Sequence, residues 1–127
     1  MRQHHRSASP FEESICFSRA VRDGDQIEVA GTAPIGPDGE TVEGGAFEHA
    51  QRCFTIIREA IEALGGSMSD VIRTRMYLVD KADWEEVGRA HGEAFAGIDP
   101  ASTMVIAHLL DDRWRVEIEA TAITRAN

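Results

Sequence analysis

The stretch "RVEIEATAI", residues 115–123, lies near the end of the 127-residue chain, and its reading decides the fold. Side chains of a β-strand alternate between the two faces of a sheet. Val116, Ile118, Ala120 and Ala122 therefore share one face, which reads as core. Arg115, Glu117, Glu119, Thr121 and Ile123 share the other. Two acids in so apolar a strand need a reason, because a charge taken out of water must be paired or do work.

Working outward, "DDRW" is a turn and "TMVIAHLL", about 103–110, a preceding strand. "GIDPAS" breaks a helix running from Asp80 to Phe95, with a stripe of Trp84, Val87, His91, Ala94 and Phe95 and with Asp80 or Asp83 as cap. "VIRTRMYLVD", about 71–80, is a strand with Val71, Arg73, Arg75, Tyr77 and Val79 on one face and Ile72, Thr74, Met76 and Leu78 on the other. Residues 46–64 carry Ala50, Phe54, Ile57, Ile61 and Leu64 at helical spacing, and Gly65-Gly66 supply the stop. Two further β-like runs, about 14–21 and 26–32, flank Asp23-Gly24-Asp25, a hairpin signal, and "GPDG" at 36–39 is another turn. Residues 1–13 read as a loose lead-in to a single domain over 14–127.

The order ββ-α-β-α-ββ implies an α+β fold, a mixed sheet with two helices on one face. The other face then carries Tyr77, Val79 and Ile123 among Arg73, Arg75, Glu117 and Glu119. That mixture is too apolar for open solvent and too charged for a monomer core, which implies a homo-oligomer with paired charges at its seam.

Composition narrows the function. The chain is 43% hydrophobic and 28% charged with a net charge of -9, so neither nucleic acid nor an anionic membrane surface is an expected partner. No apolar run is long enough to span a bilayer, and the polar "MRQHHRSASP" has no secretory h-region, which gives a cytoplasmic expectation. Cys16, in a strand, and Cys53, in a helix, read as small buried thiols. His91 reads as a satisfied core histidine, and no metal site emerges from His108 or from His4-His5.

"EVAGTAPIGPDGE", "ALGGSMSDVIRTRMYLVD", "DPASTMV" and "VEIEATAI" together resemble the reactive-intermediate deaminase family (Rid, YjgF-like, also labelled L-PSP endoribonuclease). The resemblance covers Phe17 to Ile123. It implies a chorismate-mutase-like fold, a homotrimer with small-molecule clefts between subunits, and hydrolysis of imino or enamino acids with no metal or organic cofactor. It implies that Glu117 handles water and that Phe17, Gly31 and Thr32 line the cleft. In the family a Pro-Ala-Arg-Ser-like segment clamps the substrate carboxylate, and here that segment is Pro100-Ala101-Ser102-Thr103. Ser102 thus stands where the Arg is expected, and Met104 where a Cys is common. A hydroxyl cannot reproduce a bidentate guanidinium. Either Arg73, Arg75 or Arg19 supplies a cation, or the ligand differs from simple 2-imino acids and meets Ser102 and Thr103. The alternative is a non-catalytic ligand-binding trimer.

Overall fold

The computed structural model describes residues 1–7 and 9–125. Its elements are β1 (Gln3–His5), α1 (Pro10–Ile15), β2 (Ala20–Asp23), β3 (Gln26–Thr32), α2 (Ala46–Ala63), β4 (Val71–Leu78), α3 (Trp84–Phe95), β5 (Ala101–Ile106) and β6 (Val116–Ile123). One six-stranded sheet has the order β1-β2-β3-β6-β4-β5. Only β4 and β5 run parallel; each remaining neighbour pair is antiparallel. The sheet is mixed, and the α+β architecture is as expected.

The local chemistry explains the elements. Gly24, with φ 62°, turns β2 into β3 in a hairpin that pairs Asp23 with Gln26. After α2, Gly65 at φ 87° lets its own N–H reach Glu62 and the Gly66 N–H reach Ile61, a Schellman stop. The Ala50, Phe54, Ile57, Ile61 and Leu64 stripe of α2 is buried against Ile27, Val29, Val116, Ile118, Ala120 and Ala122. The interior face of β6 is therefore the one its alternation predicts.

Several expectations need correction. Residues 1–13 are not a loose lead-in: β1 pairs with β2, α1 begins at Pro10, and the run expected as the first strand, about 14–21, holds the end of α1, a link and only the first two residues of β2. Cys16 ends α1 in the left-handed region at φ 69° and is exposed, so it is neither in a strand nor buried. Phe17 lies in the link between α1 and β2 rather than on a strand. A register shift between Val71 and Arg73 places Val71 in the core and leaves Ile72 exposed, the reverse of simple alternation. Trp84 is 55% exposed because it opens α3, one turn short of the face that packs on α2. β5 starts at Ala101, earlier than expected, and ends at Ile106.

Candidate functional site

Both helices leave one sheet face bare, and β6 runs through its middle. On that face Glu117 sits opposite Tyr77, Glu119 opposite Arg75, and Thr121 opposite both Glu28 and a backbone position at Arg73. Most of these groups satisfy one another. Tyr77 donates to Glu119 at 2.6 Å, and Arg75 approaches the same carboxylate at 3.8 Å. The hydrogen bond to Glu119, with burial added, raises the Tyr77 phenol above its ordinary pKa. Thr121 donates to Glu28 at 2.7 Å, and Arg73 to Thr103 at 2.7 Å.

Glu117 differs. Among the described residues no hydrogen bond acts on its carboxylate. Burial raises its pKa above the usual carboxylate value, the Arg19 charge pulls the other way, and Glu119 adds to the rise. The Glu117 side chain lies over Gly31: a Cβ there would stand 3.0 Å from Oε2. The space comes from a register irregularity between Val29 and Thr32, where β3 leaves its regular pairing with β6. Gly31 is thus required by a close approach and not by its dihedral angles.

The bulge is braced from below. Arg19 donates to the Gly31 carbonyl and, at 3.2 Å, to Thr32 Oγ1. Its Nε pairs with buried Glu12 at 3.4 Å, and Glu12 also accepts from the Ser7 N–H and hydroxyl. The Phe17 ring lies 5.4 Å from the Arg19 guanidinium. Glu12 carried no sequence signal, since a buried acid in a short polar segment looks like a solvated one.

The structure brings Glu117, Gly31, Arg19 and Phe17 into one region. It does not place every expected group there. Thr32 is buried, its hydroxyl bonded to Arg19 and to the Ala30 carbonyl, so its side chain is spent. Arg19 is likewise committed to Glu12 and the bulge, Arg75 to Glu119, and Arg73 to Thr103. Ser102 lies on the opposite sheet face: it pairs in register with buried Thr74, whose hydroxyl bonds Ser102 Oγ at 2.8 Å and His91 Nε2 at 2.8 Å. Within one protomer Ser102 and Glu117 do not meet. Sequence alternation could not show this, because the pairing of β5 with β4 fixes which β5 side chains share a face with Glu117. His91 is the satisfied histidine expected, packed between Phe54 and Phe95.

A groove of about 500 Å³ opens on the bare face, lined in part by Phe17, Ala30 and Glu119. Ala30 precedes Gly31, and Glu119 lies two residues beyond Glu117 on the same face, so groove and carboxylate adjoin. A second groove of about 390 Å³ runs between α2 and α3, on the other side of the sheet. Among the described residues no cluster of His, Cys, Asp or Glu could hold a metal, and no helix is long and apolar enough to cross a membrane. Cys53, buried and donating to the Thr32 carbonyl, has its thiol pushed up by desolvation and is chemically quiet.

Known proteins share this fold. Residues 9–124 match the endoribonuclease L-PSP family. A RutC family protein of Pyrococcus abyssi is 34% identical over 107 residues, 84% of this chain and 84% of that protein. The mouse 2-iminobutanoate/2-iminopropanoate deaminase is 31% identical over 108 residues, 84% of this chain and 80% of that protein. A crystal structure of a YjgF/YER057c/UK114 family member from Mycobacterium tuberculosis superposes with a TM-score of 0.86 at 35% identity, covering 98% of this chain and all of that one (100%). With its sheet order, its two covering helices and these relatives together, the chain belongs to the endoribonuclease L-PSP family, the Rid/YjgF proteins of chorismate-mutase-like fold.

Proposed function

We propose that the protein hydrolyses a reactive imine or enamine metabolite, with Glu117 as the group that handles water. The observation that carries this reading is the state of Glu117: half-buried, raised in pKa, with no hydrogen-bond partner among the described residues, and lying against a glycine beside a groove. A structural salt bridge would have looked otherwise, and Glu119, tied to Tyr77 and Arg75, looks like one. The deaminase name of the mouse relative supports the reaction class.

In the step, Glu117 takes a proton from water as the oxygen adds to the C=N carbon. The proton passes to nitrogen, and the carbinolamine collapses to a carbonyl with loss of ammonia. Water is consumed, no electrons are exchanged, and Glu117 ends as it began. A carboxylate whose pKa lies nearer the working pH makes a better base for this transfer, and burial provides that shift.

The assembly belongs to the same proposal. The bare face exposes Val105 and Ile123 beside its charges, and a second copy, in a homotrimer as the family resemblance implies, would close the cleft beside Glu117 to bulk solvent while leaving room for the reacting water. Because Ser102 replaces the family's Arg, the substrate is held differently from a simple 2-imino acid. The test is ammonia release from a panel of freshly generated imines. Glu117→Gln should lower the rate by roughly a hundredfold to ten-thousandfold; equal rates would remove Glu117 from the chemistry.

A second reading is a ligand-binding module without turnover. The placement of Ser102 favours it, since its hydroxyl is bonded to Thr74 on the far face. Metabolites that raise the unfolding temperature yet are not consumed would select it.

A further inference from the structure

Arg19 holds three consecutive residues of the bulge in β3. Its carbonyl accepts the Ala30 N–H at 2.9 Å, and its guanidinium donates to the Gly31 carbonyl and, at 3.2 Å, to Thr32 Oγ1. Cys53 on α2 donates to the Thr32 carbonyl at 3.2 Å, so the bulge is fixed from two sides. The Arg19 Nε is in turn anchored by Glu12. A buried ion pair is often no more stabilising than an apolar pair of the same size, so this one needs a reason other than stability. Glu117 supplies it. Its Oε2 would stand 3.0 Å from a Cβ on Gly31, the residue whose carbonyl Arg19 holds. Burial and Glu119 both favour the protonated acid, and the Arg19 charge opposes them. Among the described residues, the other groups about Glu117 do not duplicate that charge. Tyr77 on β4 donates to Glu119, Arg75 approaches Glu119, Arg115 forks onto Asp83, Glu28 on β3 is a further acid, and Cys53 is a neutral thiol.

We propose that Arg19 is a positioning residue for Glu117: its fork fixes the bulge on which the carboxylate rests, and its charge favours the ionised acid. The proposal rests on the Glu117 reading for the reaction, but not for the electrostatics. Only the ionised carboxylate can take a proton from water, so a group that keeps Glu117 ionised in a buried place keeps it competent. A guanidinium combines the two roles. Its planar fork reaches Glu12, Gly31 and Thr32 together, and it stays charged throughout the working pH range. A lysine would keep the charge and lose the fork. Arg19 thus acts through Glu117 rather than on the ligand, and its anchor, Glu12, ties the site to α1.

Carbon-13 NMR titration of the glutamate carboxyls, with the Glu117 signal identified by its loss in Glu117→Gln, reads the charge without turnover. The double variant Glu12→Gln/Arg19→Gln removes both members of the ion pair and strands neither. Arg19 is the nearer of the two to the bulge, so Glu117 should titrate at higher pH in the double variant than in wild type. In Arg19→Lys it should titrate as in wild type. Ammonia release reads the fork: kcat of Arg19→Lys, per molecule folded by circular dichroism, should fall roughly tenfold or more although the charge is kept. A double variant whose Glu117 titrates at or below the wild-type pH would overturn the proposal, whatever its stability. So would a lysine variant that titrates with the double variant or retains the full kcat. If wild type releases no ammonia, the hydrolase reading falls, and the titrations alone decide for or against Arg19.

Discussion

At the scale of single residues, the account depends on how closely Glu117 lies on Gly31. A methyl group at Gly31 would meet Oε2 at 3.0 Å, and the carboxylate would have to move. Gly31→Ala should therefore fold, since Gly31 is not at positive φ, and should lose roughly tenfold or more in rate, as small misplacements of a reacting group do. Circular dichroism and ammonia release would separate the two effects. Stability should respond to Glu117 in a defined direction. Its folded pKa is raised, so the fold favours the protonated acid; that contribution is present below the unfolded value and is lost as pH rises through the folded one. At neutral pH Glu117→Gln should then unfold at the same or a higher temperature than wild type, with the advantage gone near pH ~4. Glu117 was legible in the sequence because period-two alternation fixes its face. The orientation of Ser102 was not, because it depends on the register of a parallel partner strand.

At the scale of elements, α1 and β1 are held by chemistry that hydrophobic patterning does not register. Glu12 and Arg19 are an ion pair with side chains 2% and 8% exposed, and removing one partner strands the other. Glu12→Ala should cost about 3–5 kcal/mol, measured by urea unfolding, and should loosen the Gly31 bulge as well. The α2 helix was legible end to end, since its apolar stripe follows the helical period and its glycines stop it. The segment before β2 was not: its strand is three residues long, its helix six, and both are mostly polar. A second tie joins α2 to β6. His49 Nε2 bonds the Val42 carbonyl at 2.9 Å, and Nδ1 accepts the Arg115 N–H at 3.2 Å, so both nitrogens are occupied by the neutral ring. Burial lowers the His49 pKa, and His91 shifts in the same direction for the same cause. The unfolded chain then binds protons first, and stability should fall as pH drops below about 6.5. Urea midpoints at pH 7.5 and 5.5 would show it, and His49→Gln, which can offer one donor and one acceptor, should flatten the slope.

At the scale of the whole molecule, two helices on one side of a six-stranded sheet leave a face that water should not cover. That much followed from counting elements in the sequence. The insertion of β6 between β3 and β4 did not, because pairings between distant strands leave no local mark on composition. The insertion is what puts Glu117 at the centre of the bare face, between Tyr77 and the Gly31 bulge. The net charge of -9 makes a polyanion a poor partner for that face, whereas a sister copy brings alternating acids and arginines to match. The central claim is that another copy of the chain closes the face around Glu117. Sedimentation velocity at micromolar concentration tests it most directly. The account requires one species heavier than the 14.0 kDa chain, with the family resemblance pointing to a trimer. A stable 14.0 kDa monomer that leaves Glu117 open to water would contradict it.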